Sequence, residues 1–239
     1  MSLKPRRSSD ADCREIVYDS EHWVLLEELR AKAAFLLSAL ERFHLYAVVH
    51  GSVARGDVRV GSDVDVFVAD VSNSFLVETA LEQVGVRVNG RFVVQATPSY
   101  AMKAHIELDE VCSVSFPLMG MRRVEREFYS FGGAVDLVGL KRGLRVAGVD
   151  KCLVFIEPTL RGHMECDSVV GREEFVAKAL GVSAETVHDR VRALTKRDFV
   201  GRTGVFLKKE VPSEKTFELA LKQLSDFNPA VRRRIKKVK

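Results

Sequence analysis

The sequence predicts an α+β protein built in two parts. Three observations carry that prediction. Apolar residues recur at helical spacing between Glu21 and Phe43. The stretch Gly85–Phe116 is rich in Val, Ile and Phe and broken by Asn89-Gly90 and Pro98, which reads as strands. After Arg161-Gly162-His163 the pattern changes to two short helices around a glycine turn. The first part is expected over residues 1–165 and the second over 166–239.

In chain order, residues 1–20 read as a polar lead-in. Leu25, Leu26, Leu29, Ala33, Leu36, Leu37, Leu40 and Phe43 line one side of a long amphipathic helix. Tyr46–His50 is a short apolar strand, and Asp63–Val68 alternates as a second. Ser72 or Asn73 can cap a helix over Ser74–Val84. Asn89-Gly90 is a hairpin signal, and His105–Phe116 reads as two strands turning at Asp109-Glu110. Cys152–Ile156 is a further strand. Glu173–Leu180 and a Ser183-capped segment to about Arg197 are helices, and Val200–Val211 reads as a hairpin.

Composition excludes several classes. The chain has 239 residues, 46% hydrophobic and 29% charged, which fits a folded protein with a real core and excludes wholesale disorder. No apolar run reaches the roughly 18 residues a membrane span requires, and the N-terminus lacks a signal-type apolar stretch. A cytoplasmic protein with no membrane contact is the expectation. Cys13, Cys112, Cys152 and Cys166 lack CxxC spacing, so neither a disulfide framework nor a zinc ribbon is expected, and His163 and Cys166 read as ordinary residues. The net charge of +4 is segregated. Residues 201–239 hold 11 Lys+Arg against 4 Asp+Glu, and residues 1–200 are net acidic. The last nine residues carry six bases, which suits either a polyanion partner or a solvated, fraying terminus.

The richest chemistry lies in Val49–Val68. Strand alternation puts Asp63 and Asp65 on one face, about 6–7 Å apart, and sends Val64, Val66 and Val68 to the other. Two carboxylates on a rigid strand can hold a divalent cation, and magnesium favours one or two carboxylates plus phosphate oxygens. Upstream, Gly51 lets a backbone approach a ligand closely, Ser52 adds a hydroxyl donor, and Arg55 can supply charge to a phosphate. Together these parts suit a nucleoside triphosphate.

This pattern of strand, Gly51-Ser52, spacer and Asp63-x-Asp65 on the next strand resembles the signature of the nucleotidyltransferase superfamily typified by DNA polymerase β. Ala54-Arg55-Gly56 and Ser62 add to the likeness, and the order of elements extends it over roughly residues 20–117. The resemblance implies a mixed sheet with flanking helices and transfer of a nucleotidyl group to an acceptor hydroxyl, with release of pyrophosphate. It further implies Mg2+ or Mn2+ on Asp63 and Asp65, and a nucleoside triphosphate, with ATP expected, on Gly51, Ser52 and Arg55. Such enzymes usually carry a third acid on a neighbouring strand. Here Ser113 and Ser115 stand where it would be convenient. Glu107 and Asp109 are the favoured candidates, with Asp136 more distant.

The second part, VAKALGVSAETVHDRVRALTKRD, resembles the helix-turn-helix of transcription regulators, and the hairpin around Gly201–Gly204 resembles the wing of winged-helix domains. On that likeness Ala184, Glu185, Thr186 and His188 would face a major groove. Arg190, Arg192, Lys196, Arg197 and Arg202, with Arg232, Arg233 and Arg234 of the tail, would reach nucleic-acid phosphates. The whole layout resembles archaeal predicted nucleotidyltransferases with a C-terminal winged helix-turn-helix. A competing expectation is a nucleic-acid-binding regulator whose first domain only senses nucleotide.

Overall fold

The computed structural model describes residues 13–201 and 204–236. Helix α1 (Ser20–Glu41) begins where Asp19 accepts from the His22 N–H at 2.8 Å. It buries Leu26, Leu29, Ala33, Leu36, Leu37 and Leu40, as its periodicity predicts. Each buried leucine contributes about 1.5–3 kcal/mol of transfer free energy, so this one face anchors the first part of the chain.

Strand β1 (Cys13–Val17) precedes α1, and β2 (Ala47–His50) follows it. A single turn α2 (Ser52–Arg55) leads to β3 (Val64–Val68) and helix α3 (Ser74–Gln83), capped by Asn73. Strands β4 (Gly90–Gln95), β5 (Lys103–Glu107) and β6 (Cys112–Pro117) come next. They lead to α4 (Arg123–Phe131), β7 (Ala134–Asp136) and α5 (Leu137–Lys141). Then come β8 (Gly148–Val149), β9 (Val154–Pro158), β10 (Gly162–Ser168), α6 (Glu173–Leu180) and α7 (Ala184–Val200). The described chain ends with β11 (Leu207–Glu210), α8 (Phe217–Phe227) and α9 (Pro229–Lys236).

The main sheet has the order β11-β4-β5-β6-β3-β2-β7. It is mixed: β3 and β6 run parallel, and the other pairs run antiparallel. One face packs on α1, α3 and α8 through Val49, Val64, Val66, Val68, Ile106 and Phe116. The opposite face carries the site described below. A second, antiparallel sheet has the order β1-β10-β9-β8. Its Val149 and Phe155, with Leu153 of the β8–β9 turn, share a core with Val176, Val187 and Leu194 of α6 and α7.

Several sequence expectations are corrected. Residues 13–17 are a strand and not lead-in, because their partner β10 lies about 150 residues away and leaves no local trace. Cys13 sits opposite Cys166 in that pairing, and the two form a disulfide, against the expectation of none. Gly162 on β10 passes so close to β1 that a Cβ would stand 1.9 Å from the Ile16 carbonyl oxygen. Asn89-Gly90 does not turn a hairpin; it enters β4, and the β4–β5 connection is the Pro98 loop, pinned by the Gln95 amide.

The helix pair α6–α7 is present, with Gly181 left-handed at φ 65° and Ser183 capping α7. The wing is not. Leu207–Glu210 pairs with β4 as the edge of the main sheet, with Lys208 and Lys209 blunting that edge. Phe217, Ala220, Leu224 and Val231 bury themselves in the first core. The expected boundary at 165/166 falls inside β10, and residues 207–236 fold back on the sheet rather than forming a separate winged unit. The tail, read as a polyanion arm or a fraying end, is helix α9 as far as Lys236. Residues 237–239 lie outside the described residues. No helix among the described residues is long and apolar enough to cross a membrane.

Helix α7 docks on α4 through one carboxylate. Glu127 accepts from the Ser183 N–H (2.8 Å), the Ser183 hydroxyl (2.5 Å) and the Thr186 hydroxyl (2.6 Å). Burial disfavours its charge, but the bonds from Ser183 and Thr186 outweigh burial and hold its carboxyl down at about 2. A carboxyl depressed by folding stabilises fully above its unfolded value near 4.5 and loses that contribution as pH falls toward 2. Between pH 4.5 and 2, the melting temperature of wild type is expected to fall more steeply than that of Glu127→Gln. Parallel curves in a thermal-melt series would contradict this.

Candidate active site

The site is built where β2 and β3 lie side by side. Gly51 ends β2 at φ 79° and ψ −145°, a conformation open only to glycine, and donates to the Gly133 carbonyl at 2.9 Å. The turn α2 then starts with the N–H groups of Ser52 and Val53, which have no backbone partner among the described residues. Their direction is set by Val53 and Ala54, both fully buried.

On β3, Val64, Val66 and Val68 are fully buried, so Asp65 must point to the open face. Asp63, just before the strand, is exposed. Asp65 stands in register between His50 of β2 and Ser113 of β6. Ser113 donates to its Oδ1 at 2.7 Å. Burial pushes His50 down to about 4, against the pull of Asp65. At neutral pH the imidazole is uncharged. Neither neighbour therefore cancels the charge of Asp65. Beside it opens a cleft of about 340 Å³, lined by His50, Asp65, Lys103, Ser113, Phe128 and Tyr129.

Each candidate third acid has another role in the fold. Asp109 accepts from the Val111 N–H (2.8 Å) and the Cys112 N–H (2.5 Å), closing the β5–β6 turn. Burial raises its pKa, but those two backbone bonds prevail and hold the carboxyl below its usual range. Glu107 lies opposite Ser113 on the correct face, but it pairs with Lys208 at 3.1 Å and faces His105 at 3.8 Å. Asp136 caps α5, accepting from Gly139 at 2.7 Å. Ser113 occupies the position beside Asp65, as its alternation indicated. Among the described residues no three His, Cys, Asp or Glu side chains gather to hold a metal ion. The pair Asp63 and Asp65 fits a cation that arrives on a triphosphate, whose oxygens complete the coordination. It does not fit a cage made by the protein alone.

Arg55 is also reassigned. It is buried, with Nε and Nη2 bonded to Asp57 at 2.9 and 2.8 Å, and its Nη1 donates to the Gly132 carbonyl at 2.6 Å. Its donors hold the α2 loop to the β7 turn and leave no phosphate contact.

The expected nucleic-acid residues scatter. Arg190 stacks on Phe128 at 4.8 Å, packed inward. Arg234 is buried against Glu125 at 3.0 Å. Arg232 donates to the Ser225 carbonyl at 3.0 Å and to that of Asp226, ending α8. Thr186 is fully buried, so it cannot read a groove. Arg192, Lys196 and Arg233 are exposed, Arg197 is half-buried, and Arg202 lies outside the described residues. Sequence reasoning missed His50, Lys103 and Tyr129. Alternation along β5 places Lys103 with His105 and Glu107 and could have marked it, whereas Tyr129 arrives on α4 with no local signal.

Residues 33–113, which contain Gly51, Ser52, Asp63 and Asp65, match a protein-family model described as a nucleotidyltransferase domain. That match supports the polymerase β-like nucleotidyltransferase superfamily for this segment. Neither the curated proteins nor the solved structures contain a match.

Breaking a buried ion pair by deleting one partner costs about 3–5 kcal/mol, because the other charge stays buried. Arg55→Ala should therefore lose about that much stability in urea titration. Arg55→Lys should rescue little, since one ammonium cannot reproduce the bidentate contact with Asp57.

Proposed function

We propose that this protein transfers a nucleotidyl group from a nucleoside triphosphate to an acceptor hydroxyl, releasing pyrophosphate. One observation carries the reading. The Gly51-Ser52 turn and the Asp63/Asp65 pair meet at the same end of adjacent antiparallel strands, with His50 opposite Asp65. A triphosphate laid there meets N–H and hydroxyl donors on one side and two carboxylates on the other. Gly51, Ser52 and the α2 N–H groups bind the phosphates. Asp63 and Asp65 would hold Mg2+ or Mn2+, which when bound neutralises the phosphates and lowers the acceptor hydroxyl's pKa. Ser113 fixes the rotamer of Asp65 through its 2.7 Å bond. His50, uncharged, leaves that carboxylate free for a cation. ATP is the donor to test first. Arg192 and Lys196, exposed on α7, support a nucleic-acid contact there.

A second reading, nucleotide sensing by a regulator, is favoured by Ser113 in place of a third acid. Labelled ATP with Mg2+ separates the two. Under the enzyme reading, pyrophosphate is released, and Asp63→Ala or Asp65→Asn slows release on the order of a hundredfold or more, matching several kcal/mol of lost charge stabilisation. ATP binding without release, unaffected by acceptor, would favour the sensor.

A further inference from the structure

The cleft beside Asp65 begins at His50 of β2 and runs mainly past Ser113 toward β5 and β11. In the sheet, β2 with its Gly51-Ser52 turn flanks β3 on one side, and β6, β5, β4 and β11 lie on the other. A triphosphate on Gly51 and Ser52 therefore reaches Asp65 from the β2 side. The space past Ser113 is left for the second substrate, and a hydroxyl placed there meets the same aspartate. At about 340 Å³ it accepts one unit the size of a sugar or nucleoside.

The charge of that space is unusual for the chemistry proposed. Past Ser113, which stands where a third acid is expected, the floor carries Lys103 of β5. Its ammonium bonds the Tyr129 hydroxyl at 2.9 Å and lies 5.8 Å from the centre of the Phe128 ring. It forms no ion pair among the described residues. Arg190 stacks on the same Phe128 at 4.8 Å, and its Nε is buried without a hydrogen-bond partner. Burial first, and the nearby Arg190 charge as well, press the Lys103 pKa down, although Glu125 and Asp65 oppose them. Nearby Lys208 is already neutralised by Glu107, so Lys103 is the cation left to act. A half-buried ammonium that holds only a phenol, beside a second cation and open to a cleft, is set to receive an anion.

We infer that the cleft past Ser113 is the acceptor site and that the acceptor bears a phosphate, held by Lys103. This rests on the nucleotidyl-transfer reading above. A sugar monophosphate and the 3′-terminal nucleotide of a nucleic acid both supply such a phosphate, and both present the same oxygens to the ammonium.

The test is calorimetric titration of the full chain, with Mg2+ throughout. The probes are ATP, ribose 5-phosphate, ribose, and a twelve-residue oligoadenylate with a free 3′ hydroxyl. The expected result is binding of ATP and of one phosphate-bearing probe, with ribose bound at least tenfold more weakly than ribose 5-phosphate where the latter is the ligand. Lys103→Met should weaken the acceptor probe at least tenfold, leave ATP affinity unchanged, and be rescued in part by Lys103→Arg. Binding of ribose 5-phosphate alone identifies a small acceptor, and binding of the oligonucleotide alone identifies a nucleic-acid end. Three results overturn the inference: no phosphate-bearing probe binds while ATP does, Lys103→Met leaves the probes unaffected, or it weakens ATP equally. Absence of ATP binding to wild type would instead overturn the nucleotidyl-transfer reading. Circular dichroism of each variant establishes that Lys103→Met is folded.

Discussion

The antiparallel register of β2 and β3 is the constraint on which the rest depends. It sets His50 opposite Asp65 and brings the Gly51 turn to the same end of the sheet as both aspartates. The register is held from behind: Val49, Val64 and Val66 are fully buried against α1 and α3. A slip of one residue would send Asp65 into that apolar core and expose the valines. The hydrophobic face of the strand thus fixes the position of the charged one. The cost of burying a carboxylate among leucines makes the alternative register inaccessible.

From that register the polar face follows by neighbours. Ser113 sits beside Asp65 because β6 runs parallel to β3, and Glu107 sits beside Ser113 because β5 returns antiparallel. The acid nearest in kind to a third ligand is therefore a strand too far, and β11 removes it altogether by placing Lys208 against it. What stays uncompensated in the cleft is one aspartate and one lysine, a pairing of opposite sense that divides the cleft into a cation-seeking side and an anion-seeking side.

The legible parts of the sequence were those with local causes. Helix α1, helix α3 with its Asn73 cap, the turn at Asp109, and the α6–Gly181–α7 unit all follow from spacing, capping and glycine within a few residues. The valine alternation of β3 likewise has a local cause and places Asp65 on the open face. What stayed hidden depends on distant partners. Strand β1 and the Cys13–Cys166 bond need β10, and β11 needs β4. Arg55 looked like a phosphate ligand because a guanidinium two residues from an aspartate and near a glycine turn suits either role. Only the approach of the Gly132 carbonyl decides for structure. Tyr129 contributes to the cleft solely because α4 lies across the open face.

Segregated charge has a different meaning once its partners are known. The basic excess after residue 201 suits an arm reaching outward, yet several of its members are tied to the fold. Arg234 neutralises Glu125 in a buried pair, and the same Glu125 accepts from the Ala101 N–H and from Arg122. Lys208 neutralises Glu107, and Arg232 ends a helix. A buried pair such as Arg234–Glu125 adds little net stability over an apolar core but penalises every arrangement that leaves one charge alone. The C-terminal segment is thereby committed to one docking position against β4 and the 99–101 loop. That position closes the far wall of the cleft with Val205 and Lys208. The segment that the charge count set apart is thus the one that completes the site.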